Sequence, residues 1–297
     1  MLIQKLHLDE VDIDTDQVTR MIAEQFPRWA ALGAEPFFPA GTDNVMFRIG
    51  DTLVARLPRT ANAALLLEKE RIHQQRLLPF LPAKTPRILE TGHPTADYPF
   101  PWTVSLWIPG CMPTPGHASR RLAISLARFI RALHSITPPP PTPELTSYRG
   151  GLLADRDLVT RTAINDCEGH FDTEELHHAW DIALQSPVGD GPASWIHTDL
   201  HPGNILIEHD DLAGVIDWGG LAVGDPAVDL IVAWNLLDDA GRLAFRASLA
   251  TDVAMWARGR AWALSIGLVA YPYYVDSNPS LAAISKYQIE QVLADLR

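Results

Sequence analysis

The sequence predicts an α+β protein in which a small, strand-rich part precedes a larger, mostly helical part. Three observations support this class: a β-hairpin pattern in the first third, a change to helical patterns after a Pro-Gly pair near residue 110, and enough length for two domains. The chain has 297 residues, of which 47% are hydrophobic, and chains of this length usually form about two domains. We therefore predict one domain over residues 1–108 and a second over 109–297.

Strand signals dominate the first part. Two stretches rich in apolar residues, 45–49 and 52–57, flank a Gly-Asp dipeptide that suits a two-residue hairpin turn. Residues 61–78 contain no Gly or Pro and are rich in Ala, Leu, Glu and Gln, so they should form one helix. A further strand is expected at 102–108, where a Pro-Gly pair ends it.

Helical patterns dominate the second part. The expected helices cover residues 120–134, 173–185, 226–237, 242–269 with a break, and 281–296. Asp225 can cap the third of these, and Pro226 stands at its first helical position, where a missing amide hydrogen is harmless. The second domain should therefore be built mainly from helices.

Charge narrows the class of partner. The chain carries 24 basic and 36 acidic residues, a formal net charge of −12, and most of the acidic excess follows residue 108. This charge argues against duplex nucleic acid as a partner, because phosphate binding requires a basic surface. It favours a cationic ligand instead.

The sequence shows no signal for export or for a membrane span. The first 16 residues are acidic and lack the basic and apolar segments of a secretory signal. The longest uncharged stretch, 98–119, is interrupted by five prolines, so it should not form a membrane-spanning helix. Two cysteines, Cys111 and Cys167, are too few for a disulfide framework and indicate a reducing compartment. We expect a soluble, cytoplasmic protein.

The most informative stretch covers residues 195–219. Two apolar strands flank a short acidic turn, so a hairpin is expected, and a turn centred on 210–211 would bring Asn204 opposite Asp217. An amide oxygen beside a carboxylate suits a hard cation such as Mg²⁺. Asp199 lies five residues before Asn204, on the loop that enters the hairpin. A carboxylate at that place can accept the proton of a substrate hydroxyl.

The same residues carry a family resemblance. The order His197-x-Asp199-x-x-x-x-Asn204, followed by Asp217-x-Gly, resembles the catalytic and metal-binding loops of the protein-kinase-like fold. The sequence motif His-x-Asp-Leu-His-Pro-Gly-Asn resembles that of the aminoglycoside phosphotransferase family, and the resemblance to this family covers nearly the whole chain. It implies a bilobal fold with a small antiparallel-sheet lobe, one main helix in that lobe, and a larger, mostly helical lobe. It also implies that Asp199 is the catalytic base, that Asn204 and Asp217 bind Mg²⁺, that His197 supports the loop and that Asp229 bonds the loop backbone.

The resemblance further implies a nucleotide site in the smaller lobe. Gly41, Thr42 and Asn44 belong to a stretch that resembles the family's nucleotide loop, Gly-x-x-Asn-x-x-Phe. A small residue in such a loop lets backbone amides approach phosphate oxygens. In the strand and hinge that follow, backbone groups near Leu106 and Ile108 would form hydrogen bonds with the edge of the adenine ring.

A cation for the nucleotide phosphates is expected on the strand after this loop. Arg56 occupies the position at which protein kinases use lysine, and its planar guanidinium can bind phosphate through two donors. Its expected ionic partner is Glu70 on the following helix, with Glu68 as the alternative. The implied cofactors are ATP or GTP, together with Mg²⁺.

These features imply an enzyme that transfers the γ-phosphate of ATP or GTP to a hydroxyl of a small molecule. Substrates of the family include aminoglycosides, macrolides and small metabolic alcohols, so antibiotic resistance is among the roles that it implies. The acidic second part favours a cationic acceptor, with contacts expected over residues 238–276. The oligomeric state is not predicted.

Two other functions stay open at this point. His197, Asp199 and His201 offer nitrogen and carboxylate ligands to a metal-dependent hydrolase. However, no His-Glu-x-x-His pair or cysteine cluster completes a zinc site. The third function is a catalytically inactive kinase-like protein that binds nucleotide only.

Overall fold

The structure, a computed structural model, describes residues 3, 5, 10–38, 43–117, 119–140, 142–189 and 191–297. The chain forms two compact units. The first unit comprises Met1–Pro79 and Lys84–Pro109, and the second comprises Phe80–Ala83 and Gly110–Arg297. A sheet forms the centre of the first unit, whereas helices make up most of the second. The predicted α+β class is therefore confirmed.

An antiparallel five-stranded sheet forms the centre of the first unit. Its strands are β1 (Ala34–Pro36), β2 (Asn44–Ile49), β3 (Leu53–Pro58), β4 (Ile88–Gly92) and β5 (Trp102–Leu106). Their order across the sheet is β1-β2-β3-β5-β4. β2 alternates between buried and half-buried positions, and its Val45, Phe47 and Ile49 join the core with Tyr98 and Trp102. This alternation is the period-two pattern of a strand with one covered face.

The hairpin between β2 and β3 has a longer turn than predicted. Ile49 lies opposite Leu53, so residues 50–52 connect the strands, and the predicted two-residue turn at Gly50-Asp51 is wrong. Gly50 has a φ of +53°, a left-handed value that glycine adopts without a steric penalty. The prediction failed because composition marks the turn but does not fix the first paired residue of β3.

The predicted helix over 61–78 is formed as three consecutive segments. They are α2 (Ala61–Lys69), a single wide π-helical turn (Glu70–Gln74) and α3 (Gln75–Leu77). A π turn contains one more residue than an α turn and is frequent at functional sites. Glu70, its first residue, is buried.

The first unit also contains α1 (Thr15–Gln25), a helix that the sequence analysis did not predict. Asp14 accepts a hydrogen bond from the Gln17 N–H, and the Gln17 side chain accepts one from the Asp14 N–H. This reciprocal pair is a capping box. Met21 and Ile22 of the helix are buried in the core of the sheet. The Asp-x-x-Gln signal for this helix is therefore present in the sequence.

Helices and two strand pairs form the second unit. The helices are α4 (Arg120–Ser135), α5 (Asp157–Asp166), α6 (Thr173–Leu184), α7 (Val232–Asn235), α8 (Asp239–Leu249), α9 (Val253–Tyr274) and α10 (Pro279–Leu296). The strands are β6 (Ser194–Ile196), β7 (Ile205–Glu208), β8 (Asp211–Val215) and β9 (Ala222–Gly224), paired as β6-β9 and β7-β8. Over the described part of the chain, every helix is too short or too polar to cross a membrane.

Residues 226–237 form a tighter structure than the single α-helix predicted for them. Pro226–Ile231 is a 3-10 helix, which continues into α7. Asp225 caps the segment as predicted, because its carboxylate accepts a hydrogen bond from the Ala227 N–H at 3.1 Å. The cap fixes where the segment begins, but helix propensity does not distinguish a 3-10 turn from an α turn.

The helical stretch over 242–269 is interrupted, as predicted. Ala250 ends α8 with a φ of +56°, and Asp252 then caps α9 by accepting a hydrogen bond from the Met255 N–H. Two aromatic residues within the region expected to contact the acceptor, Trp256 and Trp262, are buried. Their positions indicate core packing.

Candidate active site

The β7-β8 hairpin has a different register from the one predicted. Its turn is formed by His209 and Asp210, with φ values of +51° and +59°, the two left-handed residues of a type I′ turn. The turn lies one residue earlier than predicted, and a bulge at Ala213 in β8 recovers only one of the two positions of register lost there. As a result the Ile216 N–H donates to the Asn204 carbonyl at 3.0 Å. Asn204 therefore faces Ile216, and Asp217 is the next residue, not the one directly opposite.

The loop that leads into the hairpin is held by one buried carboxylate. Asp229 accepts hydrogen bonds from the backbone N–H groups of His197 at 3.0 Å and Thr198 at 2.8 Å. The implied role of Asp229 as a partner of loop backbone is confirmed. Thr198 has a φ of +72°, which is rare for a β-branched residue and has to be imposed by its surroundings. The carboxylate therefore fixes the conformation of the residue before Asp199.

We predict that Asp229→Ala destabilises the protein by about 3–5 kcal/mol, the usual effect of removing one member of a buried charged network. Asp229 is fully buried and also lies 2.9 Å from His134 Nε2. Its loss would leave two buried N–H groups without their acceptor. Urea unfolding followed by tryptophan fluorescence measures the change. Asp166→Ala is the matched control because Asp166 is exposed at the end of α5, and an equal effect of the two changes would contradict this role.

His197 is an interior support of the loop. Its ring is fully buried, with its centroid 4.8 Å from the ring of Trp218. Nε2 lies 3.1 Å from the Ile216 carbonyl, and Nδ1 accepts from the Asp199 N–H at 3.4 Å. Burial lowers the pKa of His197, and the surrounding aspartates only partly oppose this effect. A neutral ring with both nitrogens engaged in this way holds the hairpin and the loop together.

This geometry argues against a metal-dependent hydrolase built on His197, Asp199 and His201. Both nitrogens of His197 are occupied by backbone groups. Nδ1 of His201 accepts from the Gly203 N–H at 3.1 Å. In the described ranges, no cluster of three or more His, Cys, Asp or Glu side chains is arranged to hold a metal ion. The hydrolase hypothesis therefore has no ligand set here.

Asp199 lies at the centre of the polar groups in this loop. Its Oδ1 accepts a short hydrogen bond from Arg149 Nη1, and its Oδ2 accepts one from Asn204 Nδ2 at 3.1 Å. Burial would raise the pKa of Asp199, but the charges of Arg149 and His201 and the hydrogen bond from Arg149 outweigh it and hold the pKa at about 2. The carboxylate is therefore ionised at neutral pH.

Asn204 contacts this carboxylate, and Asp217 follows the residue that bonds the Asn204 carbonyl. Asn204 Nδ2 donates to both the backbone and the side chain of Asp199, and no described residue donates a hydrogen bond to its Oδ1. Asp217 is exposed and has a φ of +61°, a strained value for a residue other than glycine. Within the described residues its carboxylate has no ion pair. An amide oxygen and an unpaired carboxylate are donors of the kind that Mg²⁺ takes, so this pair fits the implied metal.

Arg149 is a residue of this site that sequence reasoning missed. Besides Asp199, its Nη1 contacts the Thr198 carbonyl at 3.2 Å, and its Nε donates to the Tyr148 hydroxyl at 3.1 Å. It lies on an irregular loop 50 residues before Asp199. The following Gly150 is tightly packed, since a Cβ there would lie 2.4 Å from Ile196. A Gly-Gly pair after Arg149 is the only local signal, and it indicates a turn without showing where the arginine points.

The first unit contains the predicted arginine with its acidic partner. Arg56 on β3 donates to both carboxylate oxygens of Glu70, at 2.5 and 3.0 Å. Both side chains are at least nine-tenths buried. Glu68, the alternative partner, instead forms an exposed pair with Arg71. The wide turn that begins at Glu70 therefore presents this acid to the sheet.

We predict that Glu70→Ala lowers the free energy of unfolding by about 3–5 kcal/mol, because it leaves a buried guanidinium without its bidentate partner. Glu68→Ala is the matched control, since its exposed pair should contribute less than about 1 kcal/mol. Urea unfolding of the two variants measures the difference. Equal and small effects would show that the Arg56-Glu70 pair does not stabilise the first unit.

The structure describes only some of the other residues that were predicted to bind the nucleotide. Gly41 and Thr42 lie outside the described residues. Asn44 begins β2, and its Oδ1 is buried without a hydrogen bond from any described residue. The Leu106 N–H already donates to the Arg87 carbonyl at 3.0 Å. Ile108 follows the end of β5 and is buried.

Comparison with protein-family models identifies the family to which this chain belongs. The model of the phosphotransferase enzyme family matches residues 36–262, which include the loop, the hairpin and the Arg56-Glu70 pair. The chain belongs to the phosphotransferase enzyme family. This membership confirms both the resemblance and the predicted class of enzyme, a phosphotransferase.

Solved structures share the fold of this phosphotransferase. One is the GDP and kanamycin complex of APH(2″)-IIIa, with a TM-score of 0.70, 20% identity, and coverage of 94% of this chain and 99% of that one. Another is a macrolide 2′-phosphotransferase from Brachybacterium faecium, with a TM-score of 0.62, 19% identity, and coverage of 96% and 98%. At this level of identity the similarity establishes the fold alone, and the predicted kinase-like fold class is confirmed.

A curated relative matches over a short stretch. The homoserine kinase of Granulibacter bethesdensis is 42% identical over 62 residues, which span 21% of this phosphotransferase and 19% of the relative. The chain therefore matches about a fifth of the length of that relative.

Proposed function

We propose that this phosphotransferase transfers the γ-phosphate of ATP or GTP to a hydroxyl of a small molecule. The observation that carries the proposal is the grouping of Asp199, Asn204 and Asp217 on one loop and hairpin of the second unit. The Asn204 amide bonds Asp199 directly, and Asp217 follows the residue that bonds the Asn204 carbonyl. A base and two metal donors in this order are the parts that phosphoryl transfer requires.

In this proposal Asp199 receives the proton of the acceptor hydroxyl. Arg149 keeps the carboxylate ionised and fixes its orientation through the Oδ1 contact. Because the transition state of phosphoryl transfer is loose, the position of the attacking oxygen matters more than the strength of the base. The conformation of the loop, set by Asp229 and His197, would supply that position.

Asn204 Oδ1 and the Asp217 carboxylate would hold Mg²⁺. When bound there, the ion supplies charge neutralisation for the nucleotide phosphates. The strained backbone of Asp217 supports this assignment, since such strain is often kept where a side chain has a functional direction.

Nucleotide binding is assigned to the first part of the chain, residues 1–108, and catalysis to residues 109–297. Arg56, oriented by Glu70, would contact the phosphates, and Gly41, Thr42 and Asn44 would form the loop over them. The Leu106 N–H is already bonded to the Arg87 carbonyl. We therefore propose that the backbone of Ile108 forms the hydrogen bond with the nucleobase.

The acceptor is proposed to be a small hydroxylated molecule. Two structures with the same fold are named for kanamycin and macrolide substrates or ligands, and the short curated match is named for homoserine. All three carry hydroxyl groups. The free thiols Cys111 and Cys167 fit the reducing environment of the cytoplasm.

A coupled assay of nucleotide consumption tests this function. The purified protein is incubated with Mg-ATP or Mg-GTP and a panel of hydroxylated compounds, and the release of ADP or GDP is followed. We expect acceptor-dependent release that the Asp199→Asn protein does not show. Nucleotide binding without transfer to any compound would support the inactive kinase-like protein instead, and release that is equal in both proteins would contradict the role of Asp199.

A further inference from the structure

Two arginines of the second unit share one aromatic ring beside Asp199. The guanidinium carbon of Arg149 lies 5.7 Å from the centre of the Tyr148 ring, and that of Arg156 lies 4.8 Å from it. Tyr148 is 60% exposed. We name Arg149, Tyr148 and Arg156 the arginine cluster. Arg149 contacts the proposed base, Asp199, directly, and Arg156 lies over the same ring as Arg149.

Among the described residues, Arg156 has no acidic partner. Its Nε donates to Ser265 Oγ at 3.4 Å, and within the described residues its two terminal nitrogens make no hydrogen bond. Burial lowers the pKa of its guanidinium, and a second cation, Arg149, acts in the same direction. A half-buried charge without a counter-ion is costly, so its presence requires a reason.

Four other partly buried arginines of the second unit are each paired with a carboxylate. They are Arg161 with Asp157 and Asp181, Arg242 with Asp239, Arg258 with Asp225, and Arg260 with Asp295. A fifth, Arg246, has no carboxylate partner among the described residues and instead lies over the ring of Trp256, at 5.0 Å. What distinguishes Arg156 from these arginines is that a second guanidinium, that of Arg149, lies over the same aromatic ring.

The contacts of Arg149 use only some of its donor nitrogens. Nη1 is used by Asp199 and by the Thr198 carbonyl, and Nε is used by Tyr148. For its Nη2, as for both terminal nitrogens of Arg156, no acceptor is found among the described residues. Three donor nitrogens on two guanidinium groups can bind an oxyanion, because the paired N–H donors of arginine match the geometry of carboxylate and phosphate oxygens.

We propose that Arg149 and Arg156 bind an anionic group of the acceptor, so that the substrate is a hydroxylated organic anion. The inference rests on the proposed function and narrows the class of its acceptor. The negative net charge of the chain favours a cationic acceptor only as a long-range effect, whereas Asp199 is paired with the cation Arg149 and a second cation, Arg156, lies over the same ring. An anion held by the arginine cluster would bring a hydroxyl on the same small molecule to Asp199.

Matched acceptors test the proposal. Glycerate, 4-hydroxybutyrate and L-homoserine are compared with their carboxamides, sn-glycerol 3-phosphate with glycerol, and kanamycin represents a cationic acceptor. We expect kcat/KM for nucleotide consumption to be at least about 100-fold higher with the preferred anion than with its neutral counterpart, from the loss of a charge-assisted contact. The carboxylate and phosphate arms show which oxyanion is preferred. A cationic or neutral acceptor as the best substrate would overturn the proposal.

Variants of Arg156 separate binding of the anion from a structural role. Arg156→Ala should raise KM for the anionic acceptor at least about tenfold, and Arg156→Lys should recover part of that loss because it restores the charge. Arg128→Ala is the matched control, since this arginine is exposed on α4. If Arg156→Ala unfolds, Arg156→Gln replaces it. An unchanged KM for the anion in a folded Arg156 variant would overturn the proposal.

A direct measurement of anion binding tests this inference independently of the proposed function. Titration calorimetry with malonate, in the presence of Mg-ADP, should show binding to the wild-type protein that weakens at least tenfold in Arg156→Ala and persists in Arg128→Ala. If malonate binds in this way but no compound supports nucleotide consumption, the proposed function fails and the anion site stands. If consumption occurs but malonate binding does not depend on Arg156, the proposed function stands and this inference fails.

Discussion

Asp217→Ala should reduce acceptor-dependent release of ADP or GDP to the background rate. Asp217 supplies the one carboxylate of the proposed metal pair, and within the described residues it has no other partner. A bound metal contributes several kcal/mol of charge stabilisation to phosphoryl transfer, and each 1.36 kcal/mol changes the rate tenfold. We therefore expect a loss of about 10³-fold or more in kcat.

A metal-binding measurement distinguishes this loss from simple misfolding. Binding of Mn²⁺ as a spectroscopic substitute for Mg²⁺, followed by electron paramagnetic resonance with a non-hydrolysable nucleotide present, should weaken in the Asp217→Ala protein. Asp166→Ala is the matched control because Asp166 is an exposed aspartate at the end of α5. Turnover within a few fold of the wild type in a folded Asp217→Ala protein would remove the metal assignment.

Asp199→Ala should lower kcat by about 10²- to 10⁴-fold, the usual range for loss of a positioned general base. In the wild type the pKa of this carboxyl is about 2, so the group is ionised and acts mainly by orienting the attacking hydroxyl. Removing it also deprives Arg149 and the Asn204 amide of a shared acceptor. The effect on turnover should therefore appear at saturating concentrations of both substrates.

Single-turnover kinetics at saturating nucleotide and acceptor measures this effect without contributions from product release. Circular dichroism and thermal unfolding of the variant establish that the protein is folded. The Asp166→Ala protein again serves as the control. A fall of less than about tenfold in the chemical step would mean that Asp199 is not the group that orients the hydroxyl.

The fold class could be predicted because the two halves of the chain differ in period. β2 repeats every two residues, whereas α4 and α10 bury apolar residues at helical spacing. Caps added precision where they were recognised, as at Asp225, and α1 was missed where its Asp-x-x-Gln signal was overlooked. Local signals of this kind are carried by neighbouring residues, so they can be read from one sequence.

The site was predictable where its residues lie close in the chain or belong to the motifs that carry the family resemblance. His197, Asp199 and Asn204 lie on one loop, and their order alone indicated a catalytic loop. Arg149 lies 50 residues earlier than Asp199, and no local pattern shows that an irregular segment returns to that loop. The register of the β7-β8 hairpin was also wrong, because an acidic turn can be centred on either of two adjacent pairs of residues.

The wide turn at Glu70–Gln74 has a consequence for comparing this helix between relatives. It contains one residue more than an α-helical turn, and one residue corresponds to about 100° of rotation around the helix axis. Deleting a single residue there would restore regular winding and rotate the preceding turns away from those that follow. A gapless alignment with a relative that lacks the extra residue would therefore pair the acid that contacts Arg56 with a position on another face of the helix.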